Sequence, residues 1–271
     1  MKRRIRIGAL IASGALAATT ALVEAELNTK SADVELAAGQ DGSATARCGA
    51  GTTAFSGGMK NPDYEPVNEG SAIYLTGLMR EGRRRISAVG SNSGSASGTL
   101  IAHAYCDKSE PRLKTVAESK PVENEFTSVA ARCERGSEAV WGGFASDGTD
   151  SILSLGSRRK GDRTWKAAAI QFGDPSTLTV FAYCAKREPG LKTKFDSVSV
   201  GADKLGTATA KCRKGQEAVS GGFEQPGTFG TSEGSEIYFY ESHRIGDRRW
   251  TASGLNQGDP AILTAFAYCK R

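Results

Sequence analysis

Short apolar segments follow one another along the chain after residue 25, separated by clusters of Gly, Asp, Pro and Ser. Typical segments are SATARC, EAVSGGF, EIYFYESH, RWTASGLN and ILTAFAYC. They are rich in β-branched and aromatic residues and partly alternate between apolar and polar positions, which predicts β-strands. Beyond residue 25, the sequence has no long segment with the 3.6-residue period of an amphipathic helix. The pattern therefore predicts an all-β protein.

The segment at residues 262–269 alternates most regularly. One face would carry Leu263, Ala265, Ala267 and Cys269, and the other Ile262, Thr264, Phe266 and Tyr268. Both faces are largely apolar, so we expect a central strand that is buried on both sides.

Six cysteines divide this part of the chain into three similar repeats. The first cysteine of each repeat opens CGAGTTAFSGG, CERGSEAVWGGF or CRKGQEAVSGGF, and the second closes LIAHAYC, TVFAYC or TAFAYC. The first cysteines lie 85 and 79 residues apart, so a repeat has about 80 residues. Related lead-in segments and the Pro-containing linkers SEPRLKT and EPGLKT place the repeats at residues 26–108, 109–187 and 188–271.

Residues 1–25 have the three parts of a secretory signal peptide: a basic start, an apolar stretch from Ile7 to Val23, and a small-residue cleavage site ending at Ala25. The 17-residue apolar stretch is at the short limit for a membrane span. We therefore expect cleavage, secretion and no transmembrane segment in the mature protein. Cleavage would remove four basic residues and Glu24 and lower the net charge from +5 to +2, so a nucleic-acid partner is not expected.

A secreted chain with two cysteines per repeat most simply forms one disulfide within each repeat. The two cysteines are 58, 51 and 57 residues apart in the three repeats, and closing such a loop contributes roughly 4 kcal/mol in the chain-entropy model. Metal or redox sites would need Cys-x-x-Cys or clustered Cys and His, which the sequence lacks. The expected pairs are Cys48–Cys106, Cys133–Cys184 and Cys212–Cys269.

The phrase Cys-x-x-Gly-x-x-Ala-x-x-Gly-Gly, with its closing Ala-Tyr-Cys, resembles a β-module of secreted bacterial proteins that occurs alone or in tandem. In the third repeat the matching residues are Cys212, Gly215, Ala218, Gly221, Gly222, Trp250, Tyr268 and Cys269. The first repeat departs, with Ile86 where the others have Trp165 and Trp250. The resemblance implies that each repeat folds independently, and it implies no activity.

About six strands per repeat predict three tandem, disulfide-stapled antiparallel β-sandwiches. A second comparison leaves another fold open. Cys-x-x-Gly before a Gly-Phe strand, in three copies, is similar to the three-fold β-prism family of vitelline membrane outer layer protein I, whose repeats are shorter. The alternative is therefore a single three-fold β-prism.

Each repeat also contains a basic turn between two predicted strands: MREGRRRI, SRRKGDRTW or HRIGDRRW. Glycine with positive φ is typical of such hairpin tips. The candidate binding residues are Arg83, Arg84, Arg85, Arg158, Arg159, Lys160, Arg163, Arg244, Arg248 and Arg249. Either these charges keep the tips solvated and prevent edge pairing, or three tips together bind an anionic polysaccharide or envelope polymer, whose phosphate and carboxylate groups suit the arginine fork.

Catalysis has few candidates. His103 aligns with Phe181 and Phe266, which favours a core position, and His243 begins a hairpin tip. The sequence has no Gly-x-Ser-x-Gly elbow, His-Glu-x-x-His motif or P-loop. We expect no enzyme activity, no catalytic residue, no metal and no cofactor.

Other possible ligand sites have simpler structural interpretations. The Gly-x-Gly-x-x-Ala match at Gly49 precedes a strand and reads as a turn. Asp147 and Asp150 lack the spacing of a calcium loop, and the Gly-Gly pairs indicate close packing. Trp165 and Trp250 are either sugar-stacking platforms or core residues.

Together these features predict a secreted, non-enzymatic binding or structural protein associated with a surface. The alternatives are a carbohydrate-binding module that uses exposed aromatic residues and a purely structural extracellular spacer.

Overall fold

A computed structural model describes residues 27–64, 70–108, 112–122, 126–147, 152–171, 175–186, 190–225 and 237–271. Within these ranges the chain forms eighteen strands and no helix, so the all-β prediction is confirmed. Over the same ranges, no helical segment has the length and apolarity needed to cross a membrane. The predicted signal peptide lies outside the described residues.

The strands fall into three corresponding sets of six. The first set is β1 (Asn28–Leu36), β2 (Asp41–Arg47), β3 (Thr53–Lys60), β4 (Ile73–Glu81), β5 (Arg85–Asn92) and β6 (Gly98–Asp107). The second is β7 (Lys114–Val122), β8 (Thr127–Arg132), β9 (Ser137–Ser146), β10 (Ile152–Lys160), β11 (Thr164–Gln171) and β12 (Ser176–Lys186). The third is β13 (Lys192–Val200), β14 (Lys204–Lys211), β15 (Glu217–Glu224), β16 (Ile237–Ile245), β17 (Arg249–Asn256) and β18 (Ala261–Lys270).

These strands form three antiparallel six-stranded sheets, and each sheet is shared between two repeats. The strand orders are β1-β6-β3-β16-β17-β14, β13-β18-β15-β10-β11-β8 and β2-β5-β4-β9-β12-β7. The repeats join at the middle of each sheet, where β3 pairs with β16, β15 with β10, and β9 with β4. The first repeat thus joins the third, the third joins the second, and the second joins the first, which closes a ring.

The edges of the sheets meet in pairs. β1 packs beside β2, β7 beside β8, and β13 beside β14, although the members of each pair belong to different sheets. The sheets are therefore the sides of a triangular prism whose strands run roughly along its axis, and each repeat occupies one corner. Three disulfide-stapled repeats are present as predicted, and the pairing between repeats gives them the closed three-fold form of the alternative prediction.

The three predicted disulfides are present: Cys48–Cys106, Cys133–Cys184 and Cys212–Cys269. Each joins the segment after the second strand of a repeat to the sixth strand. Because corresponding residues are related by rotation about the axis, all three disulfides lie at one end of the prism. We call it the cysteine end, and the opposite end, which carries the β1–β2 and β5–β6 connections, the loop end.

The Gly-Gly pairs allow the close approaches on which this closure depends. A β-carbon on Gly142 or Gly221 would lie 2.1 Å from the indole of Trp165 or Trp250. A β-carbon on Gly143 or Gly222 would lie 2.0 or 2.3 Å from a carbonyl oxygen of the adjacent repeat's strand. Real β-carbons do not approach other atoms so closely, so these positions require glycine. The close-packing interpretation of the Gly-Gly pairs is confirmed.

A repeated hydrogen bond also links neighbouring repeats. The hydroxyls of Tyr183, Tyr268 and Tyr105 accept the backbone N–H groups of Arg80, Arg159 and Arg244, respectively, each at 2.7 Å. Burial raises the pKa of all three tyrosines above the usual value. The tyrosine of each Ala-Tyr-Cys phrase therefore helps to fasten its repeat to the next.

The tryptophans at the matching positions are core residues. Trp165 and Trp250 are each 1% exposed, and each packs edge-on against Tyr268 or Tyr105 of another repeat. In the first repeat Ile86 has this position, and Trp141 from the second repeat stacks on the corresponding Tyr183 with ring centres 4.9 Å apart. The departure at Ile86 is thus accompanied by an aromatic side chain from the opposite strand.

One prediction about burial was only partly right. β18 is a central strand, paired with β13 and β15, and its inward face is buried as expected. Its outward face is only partly buried, however: Thr264 and Tyr268 are buried, whereas Ile262 is 48% exposed and Phe266 is half-buried. In a prism each sheet has a core on one side and solvent on the other, so a strand can be central in its sheet and still have an exposed face.

Candidate functional site

The three basic turns form tight hairpin tips at the cysteine end. Gly82, Gly161 and Gly246 have φ of 63°, 64° and 58°, as the turn prediction required. Each tip is anchored by its backbone. The carbonyl groups of Arg84, Arg163 and Arg248 accept hydrogen bonds at 2.8 Å from the N–H groups of the first cysteines of their own repeats. The tips are therefore held rigidly, and closure of the prism places all three at the same end.

The predicted binding residues differ in exposure. Arg83, Arg85, Lys160 and Arg249 are exposed, and Arg84, Arg163 and Arg248 are half-buried. Each of the three tips thus presents at least one exposed cation. Arg85 also lies 3.6 Å from Glu81, and both side chains are largely open to solvent, so this pair stabilises the tip only weakly.

Two predicted binding residues have structural roles instead. The side chains of Arg159 and Arg244 are 2% and 5% exposed and form ion pairs with Glu138 and Glu217. Glu217 also accepts the N–H of Leu27 at 3.1 Å, and Arg244 donates to the Leu27 carbonyl at 2.8 Å. Glu138 and Arg159 likewise bond the backbone of Leu191, so the two ion pairs tie the lead-ins of the first and third repeats to the third and second repeats, respectively. They cannot serve a ligand without breaking the fold.

Arg158 lies on the outer face of a sheet rather than in a tip. Its guanidinium is 5.5 Å from the centre of the Phe266 ring and pairs with Glu224 at 2.5 Å. The prediction that Arg158, Arg159 and Arg244 belong to a free basic surface was therefore wrong. Strand pairing turns Arg158 away from its tip, while Arg159 and Arg244 point into the seams between repeats.

Other basic residues join the tips, and the sequence pattern did not single them out. Arg47 pairs in register with Arg85, and Lys211 with Arg249. The loop after the first cysteine adds Arg213 and Lys214 in the third repeat. Their signal in the sequence was a position immediately before or after a first cysteine, but only the fold places that cysteine beside the tip.

The cysteine end is therefore markedly basic. Residues 47–53, 81–85, 132–138, 160–164, 211–217 and 245–249 contain thirteen basic and six acidic residues. This excess of seven is larger than the net charge of +2 expected for residues 26–271, so the remainder of that chain carries a net negative charge. Residues outside the described ranges account for that negative charge, so the described part of the prism is basic as a whole.

The two histidines meet on the outer face of the first sheet. Their ring centres are 5.3 Å apart. His103 shares a hydrogen bond of 2.8 Å with Ser31, whereas His243 pairs with Glu241. Burial, together with repulsion from His243 and Lys60, lowers the pKa of His103 to about 4. His103 therefore has a hydroxyl partner without an acid, and His243 an acid without a hydroxyl nucleophile.

Asp147 was considered as a possible calcium ligand. Asp147 accepts hydrogen bonds from Thr177 N–H at 2.6 Å and from the Ser176 hydroxyl at 2.9 Å, so it caps a strand. Asp150 lies outside the described residues, and among those described no group of three His, Cys, Asp or Glu side chains could hold a metal ion.

An aromatic cluster lies where β4 and β16 approach one another. Tyr64 stacks on Tyr240 with ring centres 3.9 Å apart, and Tyr74 lies 5.1 Å from Tyr238. Tyr64 is buried, whereas the other three are half-buried. The sequence analysis considered only the tryptophans as aromatic platforms, whereas the structure adds this partly open group of tyrosines.

No family model matches this chain, and a search of the curated proteins finds no match.

Proposed function

We propose that this protein is a non-enzymatic, secreted binding protein whose cysteine end attaches to an anionic polymer, such as an envelope polymer or an acidic polysaccharide. The observation that carries the proposal is the placement of three anchored basic tips at one end of a closed prism. The disulfides support an oxidising, extracellular compartment. Secretion itself rests on the signal-peptide pattern of residues 1–25.

The prism allows three individually weak contacts to bind one polymer at the same time. An exposed ion pair contributes at most about 1 kcal/mol, so one tip alone would bind poorly. Three tips on a rigid scaffold convert the second and third contacts into intramolecular events, which raises affinity without any new chemistry.

The test is retention on immobilised teichoic-acid-type polymer and on an acidic glycan across a salt gradient. The test variant is Arg83→Glu with Arg249→Glu, and the control is Lys120→Glu with Lys204→Glu, which makes the same change in net charge at exposed positions away from the cysteine end. We expect the test variant to elute at much lower salt than both wild type and control. Equal elution of the two variants would reject the cysteine end as the site.

The same assay also tests whether the three tips bind together. Charge reversal at Arg83, Lys160 or Arg249 alone should weaken retention modestly, and reversal at all three should weaken it by more than the best single change. If one single variant already loses all retention, binding is local to one repeat and the three-tip proposal fails. If the protein is retained on immobilised double-stranded DNA with the same salt dependence, the site does not distinguish an envelope polymer from a nucleic acid.

A second candidate is the carbohydrate-binding function, which the tyrosine cluster favours. Half-buried Tyr74, Tyr238 and Tyr240 offer apolar ring surface of the kind that stacks on sugars. Binding to a neutral glycan that is insensitive to salt and is lost in Tyr74→Ala would support this function over polyanion binding. A spacer role would leave both assays without binding.

A further inference from the structure

The third repeat has a pocket at the cysteine end that the tips do not form. Its volume is about 510 Å³. The described lining is Gly190, Lys192, Thr193, Lys194, Arg213, Gln216 and Arg271. Four of these residues are basic, and no acidic side chain belongs to the described lining.

The corresponding place in the second repeat is neutralised by the chain itself. Lys192 and Lys114 occupy equivalent positions, since each pairs in register with the second cysteine of its repeat. Arg213 and Glu134 are also equivalent, because each directly follows a first cysteine. Lys114 forms an ion pair with Glu134, and this pair lowers the pKa of Glu134. In the third repeat the acid is replaced by an arginine, so attraction becomes repulsion.

The first repeat offers neither charge at these two positions. Asn28 stands where the third repeat has Lys192, and Gly49 stands where it has Arg213. The convergence of cations is therefore specific to the third repeat and is not required by the fold. Among the described lining residues these cations have no counter-charge. Like charges in one pocket repel one another, and a bound anion would remove that cost.

The pocket lining also supplies several hydrogen-bond donors for an oxyanion. The Gln216 side-chain oxygen accepts the N–H of Arg213 at 3.3 Å, which fixes the loop after Cys212 and presents the amide nitrogen of Gln216 as a further donor. Arginine forks and lysine ammonium groups together suit an anion with several oxygens and more than one charge. A tetrahedral oxyanion satisfies more of these donors than a planar carboxylate does.

We propose that this pocket binds a tetrahedral oxyanion, a phosphate or sulfate group, through Lys192, Lys194, Arg213 and Arg271. The inference rests on the proposed function for its context, since such a group would be part of the anionic polymer that the tips contact. It adds a chemical class: a phosphorylated or sulfated polymer is preferred over one that carries only carboxylates.

The experiment is isothermal titration of the mature, oxidised protein with inorganic pyrophosphate, phosphate, sulfate and glucuronate at constant ionic strength. The test variant Arg213→Glu restores the charge found in the second repeat, so it is compatible with the fold. Lys214→Glu is the control, with the same change in charge one residue away and outside the pocket lining.

We expect one site per chain, with Arg213→Glu weakening pyrophosphate binding about tenfold or more and Lys214→Glu less than about threefold. Glu134→Arg should create a second, weaker site in the second repeat. Glucuronate binding as tight as that of phosphate and sulfate would overturn the choice of a tetrahedral oxyanion. Equal losses in the two variants would overturn the pocket. The relative affinities of phosphate and sulfate identify which polymer chemistry supplies the group.

The titration and the polymer assay can reject the pocket and the three-tip proposal independently. Loss of small-anion binding in Arg213→Glu with polymer retention insensitive to tip reversal would retain the pocket and reject the three-tip proposal. The opposite result would retain the tips and reject the pocket.

Discussion

His103 is expected to make the protein acid-sensitive in a defined pH window. Burial and repulsion from His243 and Lys60 lower its pKa to about 4 in the folded protein, from about 6.5 in the unfolded chain, while Glu241 opposes the shift. The neutral imidazole is therefore favoured by folding. Its contribution to stability is complete above pH 6.5 and is lost as the pH falls toward 4.

The magnitude follows from the difference between the two pKa values. One pKa unit corresponds to about 1.4 kcal/mol, so native protonation costs up to roughly 3 kcal/mol, of which about 2.5 kcal/mol has been lost by pH 4.5. Glu241 has a lowered pKa. Its contribution is lost as the pH falls below 4.5. Burial raises the pKa of Glu217, but this group is present in both wild type and the variant, so the difference between the two proteins reports on His103.

The perturbation is His103→Phe, because Phe181 and Phe266 occupy the equivalent positions in the other repeats. The free energy of unfolding is measured by urea denaturation at pH 7.0 and 4.5 with the disulfides intact. Wild type should lose about 2.5 kcal/mol more than the variant between these two pH values. If both proteins lose the same amount, burial of His103 does not control acid stability and the reasoning is wrong.

Three further predictions concern the contacts that hold the prism together. Glu138→Ala leaves the buried charge of Arg159 without its main partner and should lower the free energy of unfolding, measured by urea denaturation, by about 3–5 kcal/mol. A decrease below about 1 kcal/mol would contradict the structural role of the pair. Gly143→Ala places a β-carbon 2.0 Å from a carbonyl oxygen of the neighbouring repeat and should lower the melting temperature strongly, whereas Gly49→Ala, which meets nothing within 4 Å, should have little effect. The isolated second repeat, residues 109–187, should not form a stable monomer, because each of its half-sheets lacks the continuing strands of another repeat; a folded, monomeric species by size-exclusion chromatography and circular dichroism would refute this.

Much of the local structure could be predicted from the sequence. Alternating apolar positions and turn residues act over a few neighbours, so the strands and the hairpin tips at Gly161 and Gly246 followed directly from the pattern. The disulfides followed from their number, their spacing and the predicted compartment. The close packing at the Gly-Gly pairs could also be predicted, because glycines in a strand usually mark a bulge or a close approach of another backbone.

The sequence pattern could not predict which arginines of the basic turns are exposed and which are buried. Arg159 and Arg244 have Glu138 and Glu217 as partners, while the first repeat has Thr53 at the equivalent position. A glutamate five residues after the first cysteine, present only in two repeats, was the available signal. Its meaning depends on the cysteine loop lying beside the tip, which is a contact between segments distant in sequence.

The sequence by itself determined an all-β chain of three similar, disulfide-linked units with basic turns, because periodicity, turn chemistry and cysteine count are local or compositional properties. Tertiary structure alone decided that the sheets are shared, that the repeats close into a prism and that the three tips lie at one end. Strand pairing between repeats depends on which edges are left open after each repeat has folded. The Gly-Gly pairs permit this pairing, but which edges meet is decided only by the assembled backbone.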